Sequence, residues 1–112
     1  MSGQRQITKE AISAFLSDEG FYKDNTQVVH AATHTILKLH GSPIARKERG
    51  KSDFEITDAG WKTLTTKERL NGLPGVSVHQ VMFEWFLNDN PWDGSWTSIP
   101  QTEQLLNLKG GV

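Results

Sequence analysis

From Thr35 to Thr57 the chain alternates apolar and polar residues with a period of two, and turn formers separate the runs. That pattern restricts the middle of the chain to antiparallel strands. Thr35, Leu37 and Leu39 alternate with Ile36, Lys38 and His40, Gly41-Ser42-Pro43 punctuates the run, and Ile44 to Lys47 is read as the returning partner. A second turn at Arg49-Gly50-Lys51-Ser52 leads into Phe54-Glu55-Ile56-Thr57, so the economical reading is a three-stranded meander.

The flanks carry helical and turn signals. Thr8 is a candidate N-cap with Glu10 in the first turn, Ile12, Phe15 and Leu16 recur at helical spacing, and Gly20 stands where a stop belongs. Phe21-Tyr22 is expected to tuck beneath the same core, and the segment from Thr26 to Ala32 is left open between helix and strand. Thr65 and Glu68 have the spacing of a capping box, which predicts a short helix with Leu70 and Leu73 as its buried stripe. Val76 to Gln80 and Met82 to Leu87 read as strands, and Trp92 with Trp96 to Ile99 as a short return beyond Asn88-Asp89-Asn90-Pro91. Leu105 and Leu108 suggest a small helical stripe in the tail. The expected class is α+β: one small domain over residues 1–112, with an antiparallel β-meander, a C-terminal Trp-rich hairpin and two or three short helices, and with 1–6 and 109–112 flexible.

Composition then removes whole classes of chemistry. The absence of cysteine excludes disulfides, thiolate metal centres and a cysteine nucleophile. No apolar run approaches the ~18 residues of a membrane span, and a polar N-terminus gives no secretion signal, so a cytoplasmic protein is expected. No phosphate loop, nucleophile elbow or Ser-His-Asp order is present; His79 and Glu84 are the nearest acid–base couple. A non-enzymatic protein without cofactor is expected.

Four groups of residues are candidate sites. His30 and His34, with His40 beyond, would share a face only on a helix, and the acid of a zinc hydrolase motif is missing, so no metal is expected. The formal charge of −1 hides a central excess: residues 38 to 69 hold eight basic and five acidic side chains, net +3, leaving −4 elsewhere. Arg46, Lys47, Arg49 and Lys51 on a hairpin tip, with Lys67 and Arg69 near a helix start, would suit nucleic-acid phosphates, although charged tips ordinarily serve solvation and edge protection. The third group is aromatic. Phe83 and Trp85 share one strand parity while Met82 and Phe86 share the other, and a strand apolar on both faces is either sandwiched or offered to a partner. Phe83, Trp85, Trp92 and Trp96 are therefore the candidate protein-binding residues, a second copy of the chain being one such partner. Finally, Asp89 and Asp93 lack the spacing of a calcium loop and read as turn formers.

Three stretches carry a resemblance: Leu39-His40-Gly41-x-x-Ile44-Ala45; then Ala59-Gly60-Trp61-x-Thr63-x-Thr65-Thr66-x-x-Arg69-Leu70-Asn71; then Phe83-x-Trp85-x-Leu87-Asn88 with Pro91-Trp92-Asp93-Gly94. Over about half its length the chain resembles an uncharacterised family of small bacteriophage and prophage accessory proteins. The resemblance brings no catalytic residues. It implies a mobile-element origin and a protein that binds a host macromolecule, for example to inhibit a defence complex such as CRISPR or a gene-expression complex. A small nucleic-acid-binding regulator is the alternative.

Overall fold

The computed structural model describes residues 5–101. Helix α1 (Gln6–Leu16) lays Ile7, Ala11, Ala14 and Phe15 along one buried stripe, the spacing of a helix covering a sheet. Its start lies ahead of the expected cap. Arg5 occupies the N-cap without a side-chain bond, and Thr8 is buried within the first turns, its hydroxyl donating to Glu68 Oε1 at 2.6 Å. Gln6 is thus helical rather than frayed; the expectations for 1–4, the Leu105 and Leu108 stripe and 109–112 lie outside the described residues.

The stop of α1 also differs from the expected Gly20. Asp18 takes the left-handed conformation (φ 57°), and the amide of Glu19 donates to the Ala14 carbonyl at 2.8 Å, as in a Schellman ending. Asp18 serves here because its carboxylate is used. It accepts from Lys47 Nζ and Thr35 Oγ1, both at 2.7 Å, and from the Gly50 amide at 3.0 Å. Burial alone would raise the Asp18 carboxyl; those three hydrogen bonds and the Lys47 charge outweigh it and hold the group well below the carboxylate range.

Five strands follow in an unbroken antiparallel meander: β1 (Phe21–Lys23), β2 (Thr26–His30), β3 (His34–Leu39), β4 (Ser42–Glu48) and β5 (Phe54–Ile56) are neighbours in chain order. The segment left open between helix and strand is β2, and Tyr22 points to solvent while only Phe21 leans on the core. Val28, Leu37, Ala45 and Ile56 face one another across the sheet on its inner side. Phe15 of α1 meets Phe54 edge-on at 5.9 Å between ring centroids.

Helix α2 (Leu64–Leu70) is capped by Thr63, two residues before the expected Thr65, with Thr63 Oγ1 accepting the Thr66 amide at 3.1 Å. Beyond it a second, three-stranded sheet is built from β6 (Val78–Val81), β7 (Glu84–Leu87) and β8 (Asn90–Pro91). The last strand, β9 (Thr97–Ile99), leaves this sheet and pairs with β5, closing the larger sheet at six strands. The segment from Trp96 to Ile99 is therefore not the return strand of a terminal hairpin. Both sheets and both helices contribute to one hydrophobic core.

Arg69 ties these layers together. Its side chain is 1% exposed, yet its guanidinium is fully engaged: Nε donates to Thr26 Oγ1 at 3.0 Å, Nη1 to Thr8 Oγ1 at 2.9 Å, and Nη1 also contacts the Glu68 carboxylate. One buried fork thus joins α1, α2 and β2, as burial of a charge requires.

Candidate functional site

Three two-residue hairpin loops share one backbone geometry. Leu39 and Ser42 flank His40-Gly41, Val81 and Glu84 flank Met82-Phe83, and Leu87 and Asn90 flank Asn88-Asp89. All six loop residues have positive φ, between 50° and 82°. This is the turn whose twist matches antiparallel strands, and it favours Asn, Asp and Gly because other side chains crowd the backbone. His40-Gly41 and Asn88-Asp89 follow that chemistry. Met82-Phe83 does not: two large apolar residues hold left-handed conformations, at 86% and 94% exposure. A bulky residue at positive φ is an outlier, and no burial repays it here.

The sequence placed Met82 and Phe83 inside a strand, and the structure corrects this. With the turn at those residues, β7 is an ordinary one-sided strand: Trp85 and Leu87 point into the core, while Glu84 and Phe86 point outward. Phe86 stacks on His79 at 5.4 Å, and Glu84, paired with Val81 beside the turn, is the diagonal neighbour of His79 on the same outer face of the hairpin. Trp85 and Trp92 are 3% and 8% exposed and stack at 6.4 Å, with the Trp92 indole N–H donating to Thr97 Oγ1 at 2.9 Å. They are core residues rather than surface anchors. Trp96 remains at the surface beneath Arg46, whose guanidinium lies 3.9 Å from the ring centroid while its Nε pairs with Glu55 at 2.7 Å. Of the four aromatic candidates, Phe83 and Trp96 are accessible. Trp61 and Leu64, which the sequence reading left out of the binding set, are exposed as well.

The basic candidates divide in the same manner. Lys47 is buried against Asp18 and Arg69 is the internal fork, so neither reaches a phosphate. Arg46 is held between Glu55 and Trp96, leaving Arg49 and Lys51 exposed on the β4–β5 loop and Lys67 half-buried on α2. The histidines do not converge: His30 and His34 flank the β2–β3 turn, and His40 lies at the opposite end of β3. Among the described residues no group of three or more potential ligands is placed to hold a metal ion. Asp93 is a turn former, as read: its carboxylate accepts from the Ser95 amide and hydroxyl, which holds its pKa below the usual value.

Behind the Met82-Phe83 tip lies a tight polar knot. Asp58 is buried, accepting from the Gly60 amide at 2.7 Å and from Lys62 Nζ at 2.5 Å, and its own amide donates to the Gly94 carbonyl at 3.0 Å. Gly94 (φ 89°) lies so close that an added Cβ would fall 2.1 Å from Asp58 Oδ2. Thr57 Oγ1 also donates to the Gly94 carbonyl. The knot fixes Lys62, which lines a shallow surface depression with Met82, Phe83 and Pro91.

The chain neighbours of Lys62, Trp61 and Thr63, line an apolar cavity of about 310 Å³. Leu39 and Ile44 form its buried base, the exposed Trp61 lines it, and His40, Thr63, Thr65 and Thr66 complete the lining. The stretches around 39–45, 59–71 and 83–94, separate in the sequence, thus meet in space at this end of the molecule.

The family model described as Kyanoviridae Gp96 protein matches residues 4–103. No curated protein and no solved structure matches the chain.

Proposed function

Because the chain belongs to the Kyanoviridae Gp96 family of phage proteins, we propose that it acts as a phage accessory protein that binds a protein of the host through the tip of the β6–β7 hairpin. The observation that carries this reading is Met82-Phe83: side chains of this size occupy a turn that disfavours them and contact almost nothing of their own chain. Strain kept at a solvent-exposed apolar tip is accounted for when a partner's apolar pocket receives it, since aromatic side chains seated in such pockets dominate binding energy. Val81, itself exposed, extends the apolar tip along the hairpin.

The test is a comparison of the wild-type protein with the Met82→Asn/Phe83→Gly variant, both used as bait in lysate of the cognate host. A partner retained by the wild type, lost by the variant and reconstituted with the purified components supports the reading. Identical retention by a variant whose unfolding temperature is not lowered would overturn it.

A further inference from the structure

The cavity between the β3–β4 turn and the start of α2 is a second feature of the same end, independent of the hairpin tip. We infer that it is a binding site for a small, uncharged, planar heteroaromatic ligand. Four observations converge on that class. Its volume of about 310 Å³ lies at the lower limit of small-molecule pockets, enough for a ring system and little more. Its base, Leu39 and Ile44, is buried hydrocarbon that water serves poorly. Trp61 lines it while remaining 58% exposed, leaving much of its indole surface free to stack on a flat ring. No lysine, arginine or carboxylate lines it, so nothing there would compensate a phosphate or an ammonium group.

The polar groups around the rim narrow the class further. The hydroxyls of Thr63 and Thr66 are bonded to each other at 3.0 Å, and Thr63 also caps α2. The Thr65 hydroxyl, the His40 ring and the Trp61 indole N–H have no hydrogen-bond partner among the described residues. They offer both donors and an acceptor at the edge of an apolar slot, which matches a heteroaromatic ring with both kinds of group on its rim. A purely aliphatic ligand would leave them unpaired, and that is how such a site discriminates.

Adenine serves as the probe, followed by ¹H–¹⁵N NMR of the full chain. Saturable shifts are expected at the Trp61 indole N–H and at the His40 and Thr65 amides, with Trp61→Ala and Thr65→Phe each weakening binding at least tenfold while the unfolding temperature is kept. Cyclohexylmethanol, similar in size but neither flat nor aromatic, should bind at least tenfold more weakly, and AMP no more tightly than adenosine. Absence of saturation up to the solubility of adenine, unchanged binding in both variants, equal binding of cyclohexylmethanol, or a tighter grip on AMP would each overturn the inference. The Met82→Asn/Phe83→Gly variant retains adenine binding, which separates this site from the hairpin tip.

Discussion

Replacing Met82 by Asn and Phe83 by Gly should make the protein more stable, although it removes two of its largest apolar side chains. Both residues hold φ values in the left-handed region, 52° and 73°. That conformation costs an ordinary L-residue roughly 1–2 kcal/mol, and Asn and Gly are the residues that adopt it readily. Against the gain stands the greater backbone freedom of glycine in the unfolded chain, about 0.5–1 kcal/mol. Lost burial adds little, because the two side chains are 86% and 94% exposed. The balance is a stabilisation of about 1–2 kcal/mol, and each kcal/mol raises the unfolding temperature of a domain this size by roughly 4–8 °C. Thermal and urea unfolding followed by circular dichroism would measure it, with the urea slope unchanged if the denatured state is unaltered. Asp89→Phe is the reverse experiment in the adjacent turn (φ 70°) and should cost about 1 kcal/mol. A lower unfolding temperature for the Asn-Gly variant would refute the reasoning, since it would mean that Phe83 packs on the fold.

Asp18→Ala leaves Lys47 buried without its carboxylate and should cost about 3–5 kcal/mol in urea unfolding. Asp18→Asn addresses acid stability: because the folded-state pKa lies below the unfolded one, the ion pair contributes fully above the unfolded value of about 4 and is lost as pH falls below it. The wild type should therefore lose stability below about pH 4 more steeply than the Asn variant does. Arg69→Met should be destabilising in the whole chain, by about 3 kcal/mol, because Glu68, Thr8 and Thr26 lose a shared donor inside the core. Trp96→Ala, by contrast, removes a half-exposed ring from beneath Arg46 and should change the stability read from urea unfolding by no more than about 1 kcal/mol.

The strands of the meander were legible because period-2 alternation is a local signal. From Thr35 to Leu39 and from Phe54 to Ile56, the inward residues of the sheet are the residues the alternation selects. The cap of α2 was misplaced by two residues because Thr63, Thr65 and Thr66 all suit an N-cap, and the choice among them is made by where the chain leaves the Asp58 turn. Asp18 hid the end of α1 for a different reason. Its left-handed conformation is repaid by Lys47, Thr35 and Gly50, partners up to 32 residues away that no local pattern connects to it. The same non-locality turned Lys47 and Arg69 from candidate phosphate ligands into internal ties, and Trp85 and Trp92 from candidate contacts into core. Met82-Phe83 reads as strand because it opens an apolar run that continues through Trp85-Phe86-Leu87; only the two-residue spacing between Val81 and Glu84 reveals a turn.

Residues 57 to 63 run between the two candidate surfaces. Lys62 borders the hairpin tip and is anchored on Asp58, while its neighbours Trp61 and Thr63 line the cavity. Asp58 is in turn pressed against Gly94, where no side chain fits. Gly94→Ala combines that overlap with an unfavourable φ of 89°, and the two effects together should cost about 2–4 kcal/mol. Its informative consequence is spatial rather than global. If the knot positions both surfaces, the variant, studied below its unfolding temperature, should shift the NMR signals of Met82 and Phe83 as well as the Trp61 indole N–H, and leave Tyr22 at the opposite edge strand unmoved. Shifts confined to Gly94 and Asp58 would show that tip and cavity are held independently, and would remove the knot from any account of how this end of the molecule works.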